Sequence, residues 1–287
     1  MPGSKVAAGE GRDKIIVMPF RHEIGQSESD GRGLGIHFFL GNLFCLHPGF
    51  LECWFGWRVK NIFPDTGALA AYCFGNKPYP DIQALGEREK VRFWVEGCYG
   101  EGADGNIPIR TVIHDTRDHM AVENDFSLTF SDGLKGFRGA FFNWLDDTGL
   151  GYGGRDAGGW DEPMSPEGMD QLGHGLLCLY RSYVNKDVAT IDLTSFHRAV
   201  ELSPDSYLIQ NLLGWGRYKN GDFAGAKSAF LKARELNPHG MGALSGLMWL
   251  AVNGKDRERA LEFALEKGQC RGDDPEKARA FVAKKFD

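Results

Sequence analysis

The chain has 287 residues, of which 42% are hydrophobic and 25% are charged. This composition is typical of a globular protein and excludes a wholly disordered or coiled-coil chain. The 33 basic and 39 acidic residues give a formal net charge of −6, which provides no general attraction for nucleic acid or for anionic lipid. We therefore expect neither as a partner, and the length predicts one large domain or two of ordinary size.

The six cysteines lie far apart without a C-x-x-C motif, and the start of the chain has no apolar signal segment. Both features predict reduced thiols in a cytoplasmic protein. The most apolar stretch, residues 36–57, approaches the length of a membrane span, but His47-Pro48-Gly49 divides it. We therefore expect a buried helix, a turn and a strand there, and no direct membrane insertion.

Residues 14–149 alternate between apolar runs typical of strands and amphipathic runs typical of helices, after a flexible N-terminus over residues 1–13. The run over residues 14–20 is apolar throughout, which predicts a strand covered on both faces. The other predicted elements, in chain order, are a helix over 34–46, a strand over 51–59, a helix over 82–90, a strand over 91–97, a hairpin of 107–113 with 120–130, and a closing helix with Leu134, Phe137, Phe141, Trp144 and Leu145 on one face.

Several short phrases in this half resemble a known family. They are Val17-Met18-Pro19-Phe20, the Leu85-Gly86 helix leading into Phe93-Trp94-Val95-Glu96-Gly97, and Val112-Ile113-His114-Asp115 followed by Phe126. In this order they resemble the TolB N-terminal-like domain. This domain also lies between an effector and helical repeats in some bacterial adenylate cyclases and winged-helix regulators. The resemblance implies a small mixed sheet with helices and a regulatory or scaffolding role. It lends no activity, because no cyclase domain or DNA-binding helices accompany it.

A repeat of 34 residues follows the Gly-rich linker predicted over residues 150–168. Phe196, Ala199 and Pro204 recur as Phe230, Ala233 and Pro238. In the second copy, the upstream residues Leu213-Gly214, Gly221-Asp222 and Ala226 complete a pattern that resembles the tetratricopeptide repeat (TPR), a helix-turn-helix of 34 residues. The resemblance implies an all-α array of three divergent TPRs over residues 169–287, ended by a polar-faced capping helix that begins near Pro275.

In a TPR array the first helix of each repeat lines a concave groove. Equivalent steps along these helices predict a partner-binding surface composed of Arg181, Trp215, Trp249, Asn185, Lys219, Asn253, Asn211 and Ser245. Tryptophan is a strong anchor for a partner, and Asn and Lys can hold a peptide backbone or a carboxylate end. The alternative is that the tryptophans pack against the N-terminal domain or a second subunit, so whether the groove is open stays undecided at this stage.

Two patterns are weaker candidates for chemistry. Gly31, Gly33 and Gly35 lie near the start of a predicted helix. Their backbone N–H groups could bind an anion such as a phosphate or nucleotide, although no P-loop lysine follows. The segment His114-Asp115-Thr116-Arg117-Asp118-His119 holds four possible metal ligands. Neighbouring residues at a hairpin tip point in different directions, however, so a turn is the favoured interpretation. We predict no catalytic residue, metal or cofactor.

These observations predict an α/β domain followed by an all-α TPR array. The expected function is that of a non-enzymatic cytoplasmic adaptor or scaffold that binds a partner peptide or protein in the TPR groove. The α/β domain would dock, sense or self-associate. The alternatives are a regulatory subunit that binds a small anion or nucleotide, a structural homo-oligomer built through the TPRs, and an enzyme that uses the His114–His119 segment.

Overall fold

The computed structural model describes residues 12–25, 30–47, 49–74, 87, 90–102, 105–132, 134–150, 160, 162–185 and 187–287. Of the predicted helix over residues 82–90, only Glu87, which is helical, and Lys90 are described. Most of the predicted N-terminal segment and linker lie outside the described residues. In the described part, six strands form one mixed sheet in the order β3-β1-β4-β5-β6, with β2 paired to β4. The strands are β1 (Asp13–Val17), β2 (Arg21–His22), β3 (Phe50–Glu52), β4 (Phe93–Tyr99), β5 (Ile107–Asp115) and β6 (Met120–Leu128).

The centre of the sheet is parallel and one side of it is antiparallel. Strand β1 pairs parallel with both β3 and β4, and Ile15, Ile16 and Val17 are completely buried, as the apolar run predicts. Strands β4, β5 and β6 are antiparallel neighbours, and β5 and β6 form the predicted hairpin. The buried and exposed positions of β5 alternate through most of the strand, as expected for a strand with one face against the core.

Four helices accompany the sheet in the described part of this half: α1 (Arg32–Leu46), α2 (Phe55–Ile62), α3 (Thr66–Phe74) and α4 (Lys135–Asp147). The strand predicted over residues 51–59 is wrong beyond Glu52, because the chain enters α2 at Phe55. Phe55 and Val59 are both buried, and their four-residue spacing puts them on one face of a helix. A short apolar run fits both the two-residue period of a strand and the 3.6-residue period of a helix. The sequence pattern therefore could not distinguish a strand from a helix there.

Helical pairs follow, in the order that the repeat predicts. The pairs are α5 (Pro166–Val184) with α6 (Thr194–Leu202), α7 (Tyr207–Lys219) with α8 (Phe223–Leu236), and α9 (Met241–Asn253) with α10 (Arg257–Arg271), followed by α11 (Pro275–Phe286). The expected order of an α/β half and a helical region is therefore confirmed. Side-chain caps begin five of these helices. Ser165, Ser206, Asp222 and Asp256 accept a hydrogen bond from the backbone N–H three residues later, and Asp274 accepts one from the backbone N–H two residues later.

Buried phenylalanines join successive pairs by packing against glycines. A methyl group at Gly214, in the same pair as Phe230, would lie 2.5 Å from the Phe230 ring. One at Gly246, in the next pair, would lie 2.3 Å from the same ring. Phe196 makes the corresponding contact with Gly175 in the first pair. The packing therefore requires a small residue at Gly214, because a side chain there would separate the helices.

The helical pairs are packed directly against the α/β half. Helix α5 crosses α1 so closely that a methyl group at Gly173 would lie 1.7 Å from the Gly31 carbonyl oxygen. A methyl group at Gly35 would lie 2.4 Å from the Met169 carbonyl oxygen. Gly33 through Phe44 are all buried, because α1 has neighbours on every side. One continuous hydrophobic core consequently runs from Ile15 to Ala243. A search of the described helices finds none with the length and hydropathy needed to cross a bilayer.

Candidate functional site: a cleft between the α/β half and the helical pairs

A cleft with a volume of about 250 Å³ separates the C-terminal half of α1 and strand β3 from the helical pairs. We refer to it as the cleft. Its residues on the α/β side include Phe38, Asn42, Cys45, Glu52 and Trp54. Those on the helical side include Leu176, Leu179, Tyr180, Tyr183, Tyr207, Asn211, Trp215, Ser245, Trp249, Lys267 and Arg271.

Helical periodicity positions both walls. Phe38, Asn42 and Cys45 follow at steps of four and three residues along α1, so they share one face. On the opposite wall, Asn211 and Trp215 of α7 are spaced like Ser245 and Trp249 of α9. The 34-residue repeat keeps the two helices in phase. Four of the eight residues predicted for the groove therefore meet in the cleft: Asn211, Trp215, Ser245 and Trp249.

Arg181 does not join this row. It lies on another face of α5, beside a second hollow that Phe74 and His174 also line. The residues of α5 that face the cleft are Leu176, Leu179, Tyr180 and Tyr183. The 34-residue step fails here because nine residues connect α5 to α6, whereas three connect α7 to α8. Because the first repeat is longer, a different set of α5 positions faces the cleft.

The other three predicted groove residues lie at helix ends and have partners there. Asn185 caps the C-terminus of α5, and its Oδ1 accepts a hydrogen bond from the Asp187 N–H at 2.9 Å. The Lys219 ammonium lies 5.1 Å from the centre of the Tyr183 ring. Asn253 donates a hydrogen bond of 2.7 Å to the Tyr218 hydroxyl. The contacts of Lys219 and Asn253 join neighbouring helices, whereas that of Asn185 is local to the end of α5. None of the three residues lines the cleft.

The glycines predicted as an anion cradle are packing positions instead. The Gly31 N–H donates to the Asp170 carboxylate of α5, and the Gly33 carbonyl accepts a hydrogen bond of 3.1 Å from the Phe20 N–H. Gly35 lies against Met169, as described above. Burial raises the pKa of Asp170, and the Gly31 hydrogen bond opposes this shift. Helix α5 thus covers this end of α1, and a protein carboxylate occupies the position that an external anion would need.

The His114–His119 segment does not gather its possible metal ligands. The His114 Nε2 lies 2.8 Å from the Glu96 carboxylate, whereas Asp115 accepts hydrogen bonds of 2.8 and 3.0 Å from Arg92. Burial alone would raise the pKa of Asp115, but the hydrogen bonds from Arg92 and the backbone outweigh it and lower the pKa. Among the described residues, no cluster of three or more His, Cys, Asp or Glu side chains could hold a metal ion.

The cleft contains buried acceptors that receive no hydrogen bond from the described residues. Asn211 is 3% exposed, and its Oδ1 accepts none from that part of the chain. Both carboxylate oxygens of Glu52 are also buried, and no described residue donates to them. Burial raises the pKa of Glu52 well above its ordinary value, and the charge of Arg58 opposes the shift only in part. Buried polar groups usually have a hydrogen-bond partner, so Asn211 and Glu52 are exceptions among the described residues of the cleft.

Three cations occupy another part of the cleft lining. Arg12 and Arg271 share the carboxylate of Asp273, with 3.2 Å between Arg271 Nε and Asp273 Oδ2. Lys267 forms no ion pair with any described carboxylate. Burial lowers the pKa of Lys267, and repulsion from Arg271 lowers it further. This side of the cleft therefore has more positive than negative charge.

Sequence reasoning missed Glu52 and Lys267 as site residues. The sequence did contain a signal for Glu52, because it is an acidic residue inside the apolar stretch over residues 36–57. Lys267 lies on a second helix of a pair, where the repeat pattern predicts no groove residue. Comparison with protein-family models and with curated proteins finds no match for this chain. The geometry of the cleft is consequently the main basis for assigning a function.

Proposed function

We propose that this chain is a non-enzymatic adaptor of the bacterial cytoplasm that binds a segment of a partner peptide or protein in the cleft. In this proposal the helical pairs are divergent TPRs, and the N-terminal half is a TolB N-terminal-like domain. The observation that supports the proposal best is the pairing of Trp215 and Trp249. They occupy equivalent positions on α7 and α9, and both line the cleft.

Both indoles are held in fixed positions, as a binding platform requires. Trp215 packs against Phe230 with 5.3 Å between ring centres, and Trp249 packs edge to face against Phe281 of α11 at 5.9 Å. Lys285 covers another part of the Trp249 ring at 5.1 Å. Aromatic side chains that are already ordered lose little conformational freedom on binding, which is why they serve as interface anchors.

The α/β half restricts what can bind. Because α1 and β3 form the second wall, the groove is a narrow cleft and not an open trough. Its volume of about 250 Å³ is below the roughly 300–1,000 Å³ of common small-molecule pockets. A chain end or one or two side chains match this size, whereas a partner helix would require the two walls to separate.

An affinity experiment tests this proposal. The purified chain, the Trp215→Ala/Trp249→Ala variant and a Trp144→Ala control are each used to capture proteins from a lysate of the source organism. Trp144 is a suitable control because it is a partly buried tryptophan that packs on Phe126 and Phe141 and does not line the cleft. Circular dichroism first establishes that all three proteins are folded.

We expect one partner to be retained by the original chain and by Trp144→Ala but not by the double variant. A synthetic peptide from that partner should then quench tryptophan fluorescence in the original chain. Equal retention by all three proteins would move the contact away from the cleft. Capture of nothing by any of them would overturn the adaptor proposal.

A further inference from the structure

Strand β6 forms one edge of the sheet, and no described strand pairs with its outer side. It runs for nine residues in unbroken antiparallel register with β5. The opposite edge is formed by β3, which has only three residues. Sheet edges are usually protected by short length, proline, a bulge or lysine, because unpaired backbone groups attract further strands. Strand β3 is protected by its length, whereas β6 is long, regular and free of proline and lysine.

The hydrogen-bond register shows which residues of β6 direct their backbone to the open side. The Gly100 N–H donates to the Pro108 carbonyl at 3.0 Å, so the even-numbered residues of β5 bond towards β4. The odd-numbered residues of β5 therefore bond to β6, where their partners are even-numbered residues such as Asn124. The alternate residues of β6 direct their N–H and C=O groups away from the sheet, and no described residue bonds to these groups; they are Ala121, Glu123, Asp125 and Ser127.

The side chains of the same four residues share the open face of the sheet, and all four are exposed. Arg110 of β5 lies between the two acidic ones, with its Nε 3.1 Å from both the Glu123 and the Asp125 carboxylate. One guanidinium therefore serves two carboxylates, whose side chains remain 54% and 72% exposed. The middle of the edge consequently combines unpaired backbone groups with an excess of negative charge.

A second copy of this chain fits the edge poorly. Two identical edges would meet antiparallel, with their outward-directed residues opposite each other. Every register that pairs three or more of these residues places an acidic side chain of one copy opposite an acidic side chain of the other. Like charges directly opposite across a strand pair are destabilising. The charge pattern of β6 thus disfavours self-pairing and favours a strand with the opposite charge.

The two faces of the sheet define the side chains that such a strand needs. Residues paired with Glu123 and Asp125 would lie on the open face beside the carboxylates, where Lys or Arg is favoured. The intervening residues would lie on the other face beside Val122 and Phe126, which are partly buried against the core. Apolar side chains suit those positions. The complementary segment therefore alternates basic and apolar residues.

We propose that β6 is a docking edge for an extended basic segment of a partner protein, which adds to the sheet as an antiparallel strand. Lys or Arg of the segment lies opposite Glu123 and Asp125, and its backbone bonds to the outward-directed groups of β6. In this mode of recognition the backbone bonds supply affinity and the alternate side chains supply specificity. Strand β6 contributes nothing to the cleft lining, so this inference does not rest on the proposed function.

Two fluorescein-labelled heptapeptides with blocked termini test the charge requirement. They are Thr-Val-Lys-Val-Lys-Val-Thr, which matches residues 121–127 in length, and the same peptide with glutamate in place of both lysines. Fluorescence anisotropy measures their affinities. We expect the lysine peptide to bind more tightly by at least roughly tenfold, because opposite charges replace like charges at two cross-strand pairs. Added salt should weaken its binding, since both carboxylates are exposed.

Two N-methylated forms of the lysine peptide test the backbone pairing. In the proposed register the lysine N–H groups point towards β6, and the valine N–H groups point away from it. Methylation of both lysine nitrogens should abolish binding, whereas methylation of two valine nitrogens should preserve it. Hydrogen exchange measured by mass spectrometry should show slower exchange in β6 when the lysine peptide is bound, and no change in α7 and α9.

A pair of charge variants assigns the preference to the edge. Glu123→Gln/Asp125→Asn should weaken binding of the lysine peptide by at least roughly tenfold. Glu258→Gln/Glu262→Gln, at two exposed positions of α10, changes the net charge of the protein equally and should leave the affinity unaltered. Circular dichroism first establishes that both variants are folded.

The possible outcomes separate this inference from the proposed function. The Trp215→Ala/Trp249→Ala variant should bind the lysine peptide normally, and a loss of binding there would place the peptide in the cleft and overturn the inference. Equal binding of the lysine and glutamate peptides, or of the two methylated forms, would also overturn it. So would the absence of binding by any peptide. Dimers in light scattering that the lysine peptide dissociates would identify a second copy as the occupant and overturn the basic partner.

Discussion

At the scale of single residues, His37 links the two halves of the molecule through a buried polar contact. The side chain is completely buried in α1, and its Nε2 lies 2.8 Å from the Tyr180 hydroxyl of α5. Phe55 packs edge to face against the imidazole at 5.5 Å. Burial lowers the pKa of His37 from 6.5 to about 3, so the imidazole is neutral in the folded protein at neutral pH.

This pKa predicts a loss of stability in acid. Between pH 6.5 and about pH 3 the unfolded chain binds a proton at His37 and the folded chain does not, so lowering the pH favours unfolding. We expect the contribution of His37 to the free energy of unfolding to decrease through this range, so the original chain should lose stability relative to His37→Gln as the pH falls. Urea titrations between pH 7 and pH 4 measure both slopes.

The exposed residue His197 of α6 provides the control for this measurement. His197→Gln should keep the slope of the original chain, since an exposed imidazole has no comparable burial to lose on unfolding. Equal slopes for His37→Gln and the original chain would show that His37 is not the group responsible.

The 34-residue repeat predicts some residues of the cleft and not others. Trp215 and Trp249 were predictable because their spacing is the repeat itself, and neighbouring pairs stack in phase. Glu52 and Lys267 were not, because a residue becomes part of the cleft only through the packing of α1 and β3 against the pairs. No local pattern encodes a contact between segments so distant in sequence.

At the scale of elements, the contact between α1 and α5 depends on glycines that bring two backbones together. A glycine-rich helix start is compatible with an anion cradle and with close packing, so the sequence alone could not distinguish these uses for Gly31 and Gly35. The structure favours packing, since the Asp170 carboxylate and the backbone of α5 fill the space. The type of an element was otherwise predictable where the apolar run was long, as in α1. It was not predictable from the short apolar run that forms α2.

Gly173→Ala should therefore strongly destabilise the protein. Its methyl group would overlap the Gly31 carbonyl oxygen, and this obstacle is backbone that cannot rotate away. We expect a loss of at least about 2 kcal/mol in the free energy of unfolding, at the upper side of overpacking effects. Urea denaturation followed by circular dichroism measures the change.

Gly139→Ala in α4 is the matched control. Gly139 is exposed, and a methyl group there meets nothing within 4 Å. The substitution should raise stability by about 0.5–1 kcal/mol through helix propensity alone. If both alanine variants were equally stable, the close approach of α1 and α5 would not be a feature of the folded protein.

At the scale of the whole molecule, the main core crosses the predicted boundary between the α/β half and the helical pairs. Its residues extend from β1 through α5 and α7 to Ala243 at the start of α9. A second and smaller cluster contains Met248, Ala251, Ala260, Ala264 and Val282. The sequence predicted the order of the two halves correctly, but neither composition nor period indicated that they share a core.

This division predicts two levels of stability. The sheet and helices α5 to α7 should open together, because they share the main core. Helix α11, in which Val282 is the buried residue, should open at a lower free energy. Native-state hydrogen exchange measured by mass spectrometry gives the opening free energy of each segment. Different values for β1 and α5 would contradict a shared unit.

The two walls of the cleft also differ in when they are synthesised. A ribosome completes α1 and β3 early, whereas α9 and the Lys267 segment of α10 emerge only after many more residues. A nascent chain that stops before α9 contains Glu52 and Arg12 but lacks Trp249, Lys267 and Arg271. We therefore expect a ribosome-bound chain to bind the partner only after α10 has been synthesised. Proteolytic removal of α10 should likewise abolish binding while leaving the sheet intact.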